Sequence, residues 1–287
     1  MNRRMHTYYY AMFGAIGGLI GWQISNLLGL SFIANIYLSE AVVGALVGLS
    51  IGLLIGIVEG VLTRNLVQAG KSGLLCGLLG LVAGAAGLPL SEWMFQVVGA
   101  GVAGRALGWG LFGLLIGVAE GVFGRSQLWK GLVGGLLGGA IGGALLEASR
   151  SMVKDTLLGK AIGLMLLGAA VGACISLIVV LLARAWLEVT SGKLKGTEFI
   201  LDKFMHARGP AIAIGSSALK SEIVLPDSDI APQHAMLTGD GSHFTLKDIS
   251  LSGTFVNKRR VERAVLTNNS TIQMGNTEMV YHEKRKI

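Results

Sequence analysis

Six long apolar runs with almost no charged residues are the feature that most limits how this chain can fold. They cover residues 8–28, 41–63, 72–91, 106–123, 131–148 and 161–183. Most are close to the roughly 20 residues that an α-helix needs to cross a hydrocarbon core of about 30 Å. None alternates between polar and apolar residues, as the strands of a transmembrane barrel do. The runs therefore predict a membrane all-α region of about six transmembrane helices.

Composition changes after residue 190 and indicates a second domain. Only eight of the 44 glycines follow that residue, whereas 23 of the Asp, Glu, Lys and Arg residues do. A Gly-rich stretch of low charge followed by a polar stretch is typical of a membrane region joined to a small domain in water. We expect a multi-pass transmembrane domain at 1–190, a linker at 191–196 and a polar domain at 197–287.

Several kinds of site are excluded by residue type and spacing. Cys76 and Cys174 both lie inside apolar runs, so neither a disulfide framework nor a thiolate metal site is expected. The five histidines have no ligand-like spacing. No nucleophile–base pair is visible either. We therefore expect no metal, no cofactor and no enzymatic activity.

The positive charges predict the orientation and a membrane partner. The net charge is +7, and basic residues beside membrane helices account for it without nucleic-acid binding. With the N-terminus inside, nine basic residues flank the cytoplasmic helix ends against four on the other side. This asymmetry favours cytoplasmic N- and C-termini in a plasma or bacterial inner membrane.

Glycines recur in a pattern that predicts an internal repeat and close helix packing. Residues 55–61 return 61 positions later at 116–122, and three tandem helical hairpins explain this spacing. The glycines at four-residue intervals would form a stripe, or glycine zipper, along one helix face. The alternative use of the stripe is a conducting pore lined by glycine. A homo-oligomer is a separate expectation for the chain. The predicted packing glycines are Gly44, Gly48, Gly52, Gly56, Gly60, Gly113, Gly117 and Gly121.

Two carboxylates stand out inside the apolar runs. Glu59 and Glu120 each precede an arginine, Arg64 or Arg125, by five residues. That is only about 7.5 Å along a helix axis. Both carboxylates can therefore reach the headgroup layer or pair with an arginine. The alternative is an intramembrane proton or ion site.

Short alternating apolar runs fill the polar domain and predict an all-β sandwich. Phe199–Leu201, Ala211–Ile214 and Phe244–Leu246 are examples, and turn-forming residues such as Gly239-Asp240-Gly241 separate them. Many short strands with frequent turns are typical of such a sandwich.

The order of motifs in this domain resembles a forkhead-associated (FHA) domain. The motifs are Ile214-Gly215, the segment from Asp229 to Ala235, the segment from Asp248 to Asn257, and the segment from Leu266 to Gly275. Members of that family bind phosphothreonine segments through loops at one end of the sandwich. The resemblance thus implies a cytoplasmic protein or phosphoprotein as partner.

The resemblance also assigns residues, and three of the peptide-binding ones differ from the family. The phosphate-binding Arg falls on Ser216, the phosphate-binding Ser on Ala231 and the peptide-binding Asn on Ser252. Lys220 in the same loop is the cation available to replace part of the lost charge. His234 is more typical of a structural histidine than of a contact to ligand. The partner-binding loops would comprise Gly215, Ser216, Lys220, Ala231, Ser252, Gly253, Thr254 and Asn257.

Three function classes follow. We favour a membrane protein that presents an FHA-like domain for protein–protein recognition, as a signalling adaptor or scaffold with no strict need for phosphothreonine. The alternative is a small channel or carrier regulated by that domain. A membrane enzyme is disfavoured, because no catalytic constellation is visible.

Overall fold

The computed structural model describes residues 3–29, 35–98, 102–121, 128–205 and 210–284. Within these ranges six α-helices precede a two-sheet β-structure. The helices are α1 (Arg3–Leu27), α2 (Ile36–Leu62), α3 (Leu66–Val98), α4 (Val102–Gly121), α5 (Leu128–Met152) and α6 (Thr156–Leu181).

Four of the described helices are long and apolar enough to cross a membrane. The qualifying segments are Ile36–Leu62, Leu66–Met94, Leu128–Met152 and Thr156–Leu181. A shorter apolar segment, Ala106–Val118, lies in α4. Each predicted apolar run thus overlaps one helix. The expectation that all six helices cross a membrane stays a prediction.

Side-chain caps determine where several helices begin. Asn35 accepts a hydrogen bond from the N–H of Leu38 at the start of α2. Asp155 accepts from two N–H groups in the first turn of α6. Asn65 accepts from the N–H of Gln68 at the start of α3. These side chains satisfy N–H groups that have no partner within the helix.

The six helices form a closed ring. Each helix packs against the next one along the chain, and α6 packs against α1. The inside of the ring is filled with apolar side chains, most of them from α2, α4 and α6. This core includes Val47, Ile51, Ile55, Val58, Phe112, Ile116, Leu167, Val171 and Ile175, all at most 1% exposed.

The predicted packing glycines lie against neighbouring helices. A Cβ atom added to Gly44 or Gly48 would overlap the carbonyl oxygen of Gly84 or Gly80 on α3, and one added to Gly52 would overlap that of Cys76. Further along α2, the added Cβ atoms would meet Cys76 from Gly56 and Ala69 from Gly60. On α4, Gly113 and Gly117 meet the carbonyl oxygens of Gly135 and Gly131 in the same way. The surroundings of Gly121 lie outside the described residues.

The β-structure consists of two packed sheets. The strands are β1 (Ala185–Val189), β2 (Glu198–Ile200), β3 (Ile212–Gly215), β4 (Ile223–Val224), β5 (Ala235–Gly239), β6 (Phe244–Asp248), β7 (Thr254–Val256), β8 (Arg259–Val261), β9 (Arg263–Val265), β10 (Ser270–Met274) and β11 (Thr277–Glu283). The first sheet has the strand order β2-β1-β11-β10-β7-β8, and the second has the order β4-β3-β5-β6-β9. One apolar core of buried residues from both sheets, including Leu187, Ile214, Leu237 and Tyr281, lies between them.

The sandwich begins earlier than the sequence suggested. Strand β1 pairs with β11 and β2, although it lies inside the range 1–190 assigned to the membrane domain. Residues 191–196, expected to be a linker, join β1 to β2 within the sandwich. The apolar end of α6 comes shortly before β1 in the sequence. The short alternating pattern of Ala185–Val189 could therefore not be distinguished from the end of the apolar run. Only residues 182–184 separate α6 from the sandwich.

Candidate functional site

The β4–β5 loop, the β6–β7 loop and the β10–β11 turn enclose a groove at one end of the sandwich. The β3–β4 loop lies beside the β4–β5 loop, because Ser216 donates hydrogen bonds to the carbonyls of Ile230 and Ala231. Most of the residues that the FHA motifs indicated lie in the β3–β4, β4–β5 and β6–β7 loops. Loops held by a rigid sheet framework are where binding residues are most often found. The groove is lined by Ser228, Asp229, Ile230, Ala231, Pro232, Ser252, Gly253, Phe255 and Gly275.

His234 joins these loops from a fully buried position. Its Nδ1 accepts a hydrogen bond from the N–H of Ala231 at 3.1 Å, and its Nε2 lies 3.1 Å from Ser250 Oγ. The Ser250 hydroxyl donates its one hydrogen to Asp248 at 2.8 Å. The hydroxyl therefore accepts from Nε2–H, which assigns the Nε2-protonated tautomer. Both ring nitrogens are thus used within the fold.

Asp248 holds the β6–β7 loop in shape. Its carboxylate accepts hydrogen bonds from the N–H and hydroxyl of Ser250 and from the N–H and hydroxyl of Thr254, at 2.8–3.1 Å. Burial alone would raise the pKa of this carboxyl. The hydrogen bonds outweigh burial and hold its pKa below the usual value. Gly253, between these two residues, has a φ of +88°, a conformation that favours glycine.

The groove lining contains few donors for a phosphate dianion. Ser216 Oγ donates to the carbonyl of Ile230 at 2.8 Å, so its hydroxyl is already used. Ala231 has no side-chain donor, and Ser252 is exposed on the rim. Among the described lining residues the one charged side chain is Asp229, a carboxylate. The nearest cation in the described contacts is Arg260, whose guanidinium packs against Gly253 and donates to the carbonyl of Leu251 at 3.3 Å. A phosphate needs forked or cationic donors and would be repelled by Asp229.

Other predicted residues lie away from the groove or inside the fold. Lys220 is exposed on the β3–β4 loop and is not part of the groove lining. Thr254 is fully buried. Asn257 lies in the β7–β8 turn, at the opposite end of β7, where its Oδ1 accepts from the N–H of Thr271 at 2.9 Å. Gly215 is held close to Pro232, whose carbonyl oxygen an added Cβ atom would overlap.

A buried ion pair joins the sandwich to the helices. Lys130 of α5 contacts Asp202 between Nζ and Oδ2 at 2.5 Å, and both side chains are 4% exposed. Asp202 also accepts hydrogen bonds from the N–H groups of Arg184 and Ala185. Lys130 donates to the carbonyl of Leu182 at 2.7 Å as well. One carboxylate and one ammonium therefore organise the short connection between α6 and β1.

A second ion pair involves the carboxylate that stood out in the sequence. Lys203 Nζ lies 2.6 and 2.7 Å from the two carboxylate oxygens of Glu59 at the end of α2. The partner of Glu59 is thus in the sandwich rather than at Arg64. The side chain of Glu120 lies outside the described residues.

The α2–α3 turn contacts the edge of the second sheet. The Nδ2 group of Asn65 donates to the carbonyls of Ser221 and Glu222, just before β4, at 3.1 and 3.3 Å. Strands β2 and β4 are edge strands of their sheets. One small cavity at the end of α2 is lined by Ile200 of β2 and Ile223 of β4 together with Glu59, so both edges face the helices. The sandwich therefore rests on the helices by its β2/β4 side.

Sequence reasoning missed Lys130, Asp202, Lys203 and Asn65. One available signal was Lys130, a basic residue at the start of an apolar run with no acidic residue nearby in the chain. A buried ammonium needs a counter-charge, but nothing local indicated which carboxylate supplies it.

Comparison with known proteins identifies the family of this domain. A model of the FHA domain family matches residues 212–275. Glycogen accumulation regulator GarA of Mycolicibacterium smegmatis is 34% identical over 98 residues, which are 34% of this chain and 58% of that protein. The oxoglutarate dehydrogenase inhibitor of Corynebacterium jeikeium is 32% identical over 98 residues, covering 34% of this chain and 63% of that protein. The chain therefore spans less than two thirds of these relatives.

A solved structure also resembles the sandwich. The crystal structure of the FHA domain of the CT664 protein from Chlamydia trachomatis is 28% identical, with a TM-score of 0.32, over 36% of this chain and 99% of that one. FHA domains are protein-interaction modules rather than enzymes. The C-terminal β-sandwich of this chain is an FHA domain.

Proposed function

We propose that this chain is a membrane-anchored adaptor whose FHA domain recognises a cytoplasmic protein without requiring phosphothreonine. The groove chemistry carries this proposal. Asp229 is its charged lining residue, and Ser216, Ala231 and Ser252 stand where the family has its Arg, Ser and Asn. Two charge-assisted hydrogen bonds of about 1.5–3 kcal/mol each are lost, which corresponds to 100-fold or more in affinity for a phosphopeptide.

Exposed apolar side chains near the groove support a protein as partner. Leu251 in the β6–β7 loop, next to the lining residue Ser252, is 99% exposed. Phe255 lines the groove itself. Exposed apolar groups beside polar loops are typical of protein-binding surfaces. The names of the relatives, a regulator and an enzyme inhibitor, support a regulatory role through protein binding.

Contacts between the sandwich and the helices support the predicted topology. The sandwich meets the end of α2, the start of α3 and the start of α5, and it directly follows α6. The helix ends on this side are those to which the positive charges assigned the cytoplasm. We infer six membrane crossings with cytoplasmic N- and C-termini, and we place the start of the FHA domain at Ala185.

Close glycine contacts between the expected hairpins, which are α1–α2, α3–α4 and α5–α6, recur three times and support an arrangement of three repeats. Glycines meet backbone carbonyls between α2 and α3 and between α4 and α5. The same contact recurs between α6 and α1, where Gly14 and Gly168 face each other's carbonyls. Close backbone approach of this kind stabilises helix pairs in lipid. These contacts all lie within one chain, so the glycine stripes are packed without a second copy of the protein.

Packing inside the ring disfavours the channel alternative. The glycines face neighbouring helices, whereas side chains such as Ile51, Phe112 and Val171 fill the centre with no exposed surface. An open pathway would need polar or small groups along that axis. The helices are therefore better suited to hold the FHA domain than to conduct a solute.

Site-specific photo-crosslinking in cells tests the recognition surface. A crosslinking amino acid at Ser252, on the groove rim, should capture one defined protein, and an alanine at Leu251 should reduce the capture. The matched control is the same amino acid at the exposed residue Gln273 on β10. Equal labelling from both positions would contradict the groove as the recognition site.

Calorimetry of the full chain in detergent tests the independence from phosphate. We expect at most a few-fold preference for members of a phosphothreonine peptide library over their unphosphorylated twins. Micromolar binding that disappears without the phosphate would contradict the proposal and would point to Lys220 as the replacement cation.

A further inference from the structure

A cavity opens at the end of the helical ring that lies away from the FHA domain. Its volume is about 390 Å³, within the range of small-molecule sites. Every helix contributes to its lining, and none of the described lining residues belongs to the sandwich. One lining residue from each helix in turn is Trp22, Glu40, Glu92, Trp109, Glu147 and Lys160.

The floor of the cavity is the apolar core of the ring. Leu88, Leu146 and Leu164 line its inner end and are at most 9% exposed. The core closes the cavity toward the FHA domain, so the cavity is a cup rather than part of a channel. A ligand would enter and leave on the same side.

The charges in the cup leave an excess of carboxylates. Glu147 forms an ion pair with Arg150 at 3.3 Å, and Arg150 also lines the cup. The remaining charged lining residues are Glu40, Glu92 and Lys160. When Glu40 and Glu92 are both ionised, these groups carry one negative charge in excess of the Lys160 ammonium. The cup therefore favours a cation.

One carboxylate oxygen in the cup lacks a hydrogen-bond partner. Oε2 of Glu40 is shielded from solvent and accepts no hydrogen bond from any described residue. A buried carboxylate oxygen left unpaired is costly, and native proteins usually supply a donor or a counter-ion. Because Oε2 itself is closed off, a cation held in the cup beside Glu40 compensates the charge of this carboxylate through space rather than by a hydrogen bond to Oε2.

The two indole rings define the rest of the ligand. Trp22 and Trp109 line the same cup as Glu40 and Glu92. Indole faces attract cations and also bury apolar groups. A carboxylate beside aromatic rings is the chemistry that recognises substituted ammonium ions, whereas a bare metal ion gains nothing from the apolar lining.

We propose that this cup binds a small organic cation, an ammonium group with an apolar or aromatic substituent. The site is separate from the FHA groove and does not depend on the proposed recognition function. Only the side from which the ligand enters, outside the cytoplasm, rests on the proposed topology.

Calorimetry with the full chain in a non-ionic detergent tests the proposal. The probe is benzylammonium chloride, with sodium chloride at equal ionic strength and benzyl alcohol as comparators. We expect saturable binding of the cation at millimolar concentration or below, and binding of the neutral alcohol at least about tenfold weaker. Glu40→Gln should weaken cation binding about tenfold or more and leave alcohol binding unchanged.

Two further variants keep the test decisive. Glu188→Gln removes an exposed carboxylate of the sandwich and should leave binding unchanged. If Glu40→Gln lowers the yield of folded protein, Glu92→Gln provides the same charge change from α3. No saturable heat with the benzylammonium probe, equal affinity for the alcohol, or full affinity in the carboxylate variants would each overturn the proposal.

Discussion

Replacing Lys130 with methionine should loosen the junction between the helices and the FHA domain. Methionine keeps most of the side-chain volume but removes the ammonium that contacts Asp202 and the carbonyl of Leu182. Removing one member of a buried ion pair typically costs 3–5 kcal/mol, because the other charge stays buried without compensation. Asp202 keeps its hydrogen bonds from the N–H groups of Arg184 and Ala185, so we expect about 3 kcal/mol, near the lower limit of that range.

Thermal unfolding of the purified full chain measures this loss. About 3 kcal/mol corresponds to a decrease in melting temperature of about 6–12 °C for a chain of this size. Hydrogen exchange should report the local effect, with faster exchange at the amides of Arg184 and Ala185. The matched control is Glu188→Gln, since the Glu188–His282 pair is 43% and 24% exposed and such pairs contribute about 0–1 kcal/mol.

A second substitution separates charge from packing. Asp202→Asn in the Lys130→Met background keeps an oxygen acceptor for the two N–H groups and removes the buried negative charge. The double variant should therefore be more stable than Lys130→Met alone. If Lys130→Met unfolds at the same temperature as Glu188→Gln, the ion pair does not hold the junction and the reasoning is refuted.

Three further outcomes are expected. Gly48→Ala should lower the free energy of unfolding by about 1–3 kcal/mol, because the added methyl group overlaps α3. Gly70→Ala, where an added Cβ meets nothing within 4 Å, should be neutral or slightly stabilising, and equal melting temperatures of the two variants would contradict close packing at Gly48. Hydrogen bonds lower the pKa of Asp248 in the folded state, so its stabilising contribution is present above the unfolded pKa of about 4 and is lost as the pH falls through the lower folded value. The free energies of unfolding of the wild type and of Asp248→Asn should therefore differ at pH 7 and converge in strong acid. A difference that stays constant with pH would contradict the assignment. Ser216→Arg combined with Ala231→Ser should raise the preference for phosphothreonine peptides measurably in calorimetry, and no change in preference would show that the loop geometry no longer supports a phosphate.

The sequence was most informative where the signal is local. Apolar runs of helical length and short alternating runs report burial directly, because the environment of a side chain is set by the periodicity of its element. The six helices and the FHA domain were therefore predictable. The family motifs also located the loops around Ser216, Ala231 and Ser252, which do line or adjoin one groove.

Motif order did not determine which of those residues face a ligand. Asn257 follows Thr254 closely in the chain, but the direction of β7 carries it to the far end of the strand, into the β7–β8 turn. Lys220 shares a loop with Ser216 and yet lies outside the groove lining. Strand direction and loop path decide these positions, and neither can be read from residue spacing alone.

The sequence by itself determined what kind of elements this protein contains, and the tertiary structure decided how they are joined. Glu59 was visible as an unusual carboxylate, but its partner Lys203 lies 144 positions away, and Lys130 pairs with Asp202 at a separation of 72. Hydrophobic periodicity is a property of one helix or strand, so it can be read from consecutive residues of the sequence. Charge pairing acts through space over a few ångströms, so it appears only when the β2/β4 side of the sandwich rests on the helices.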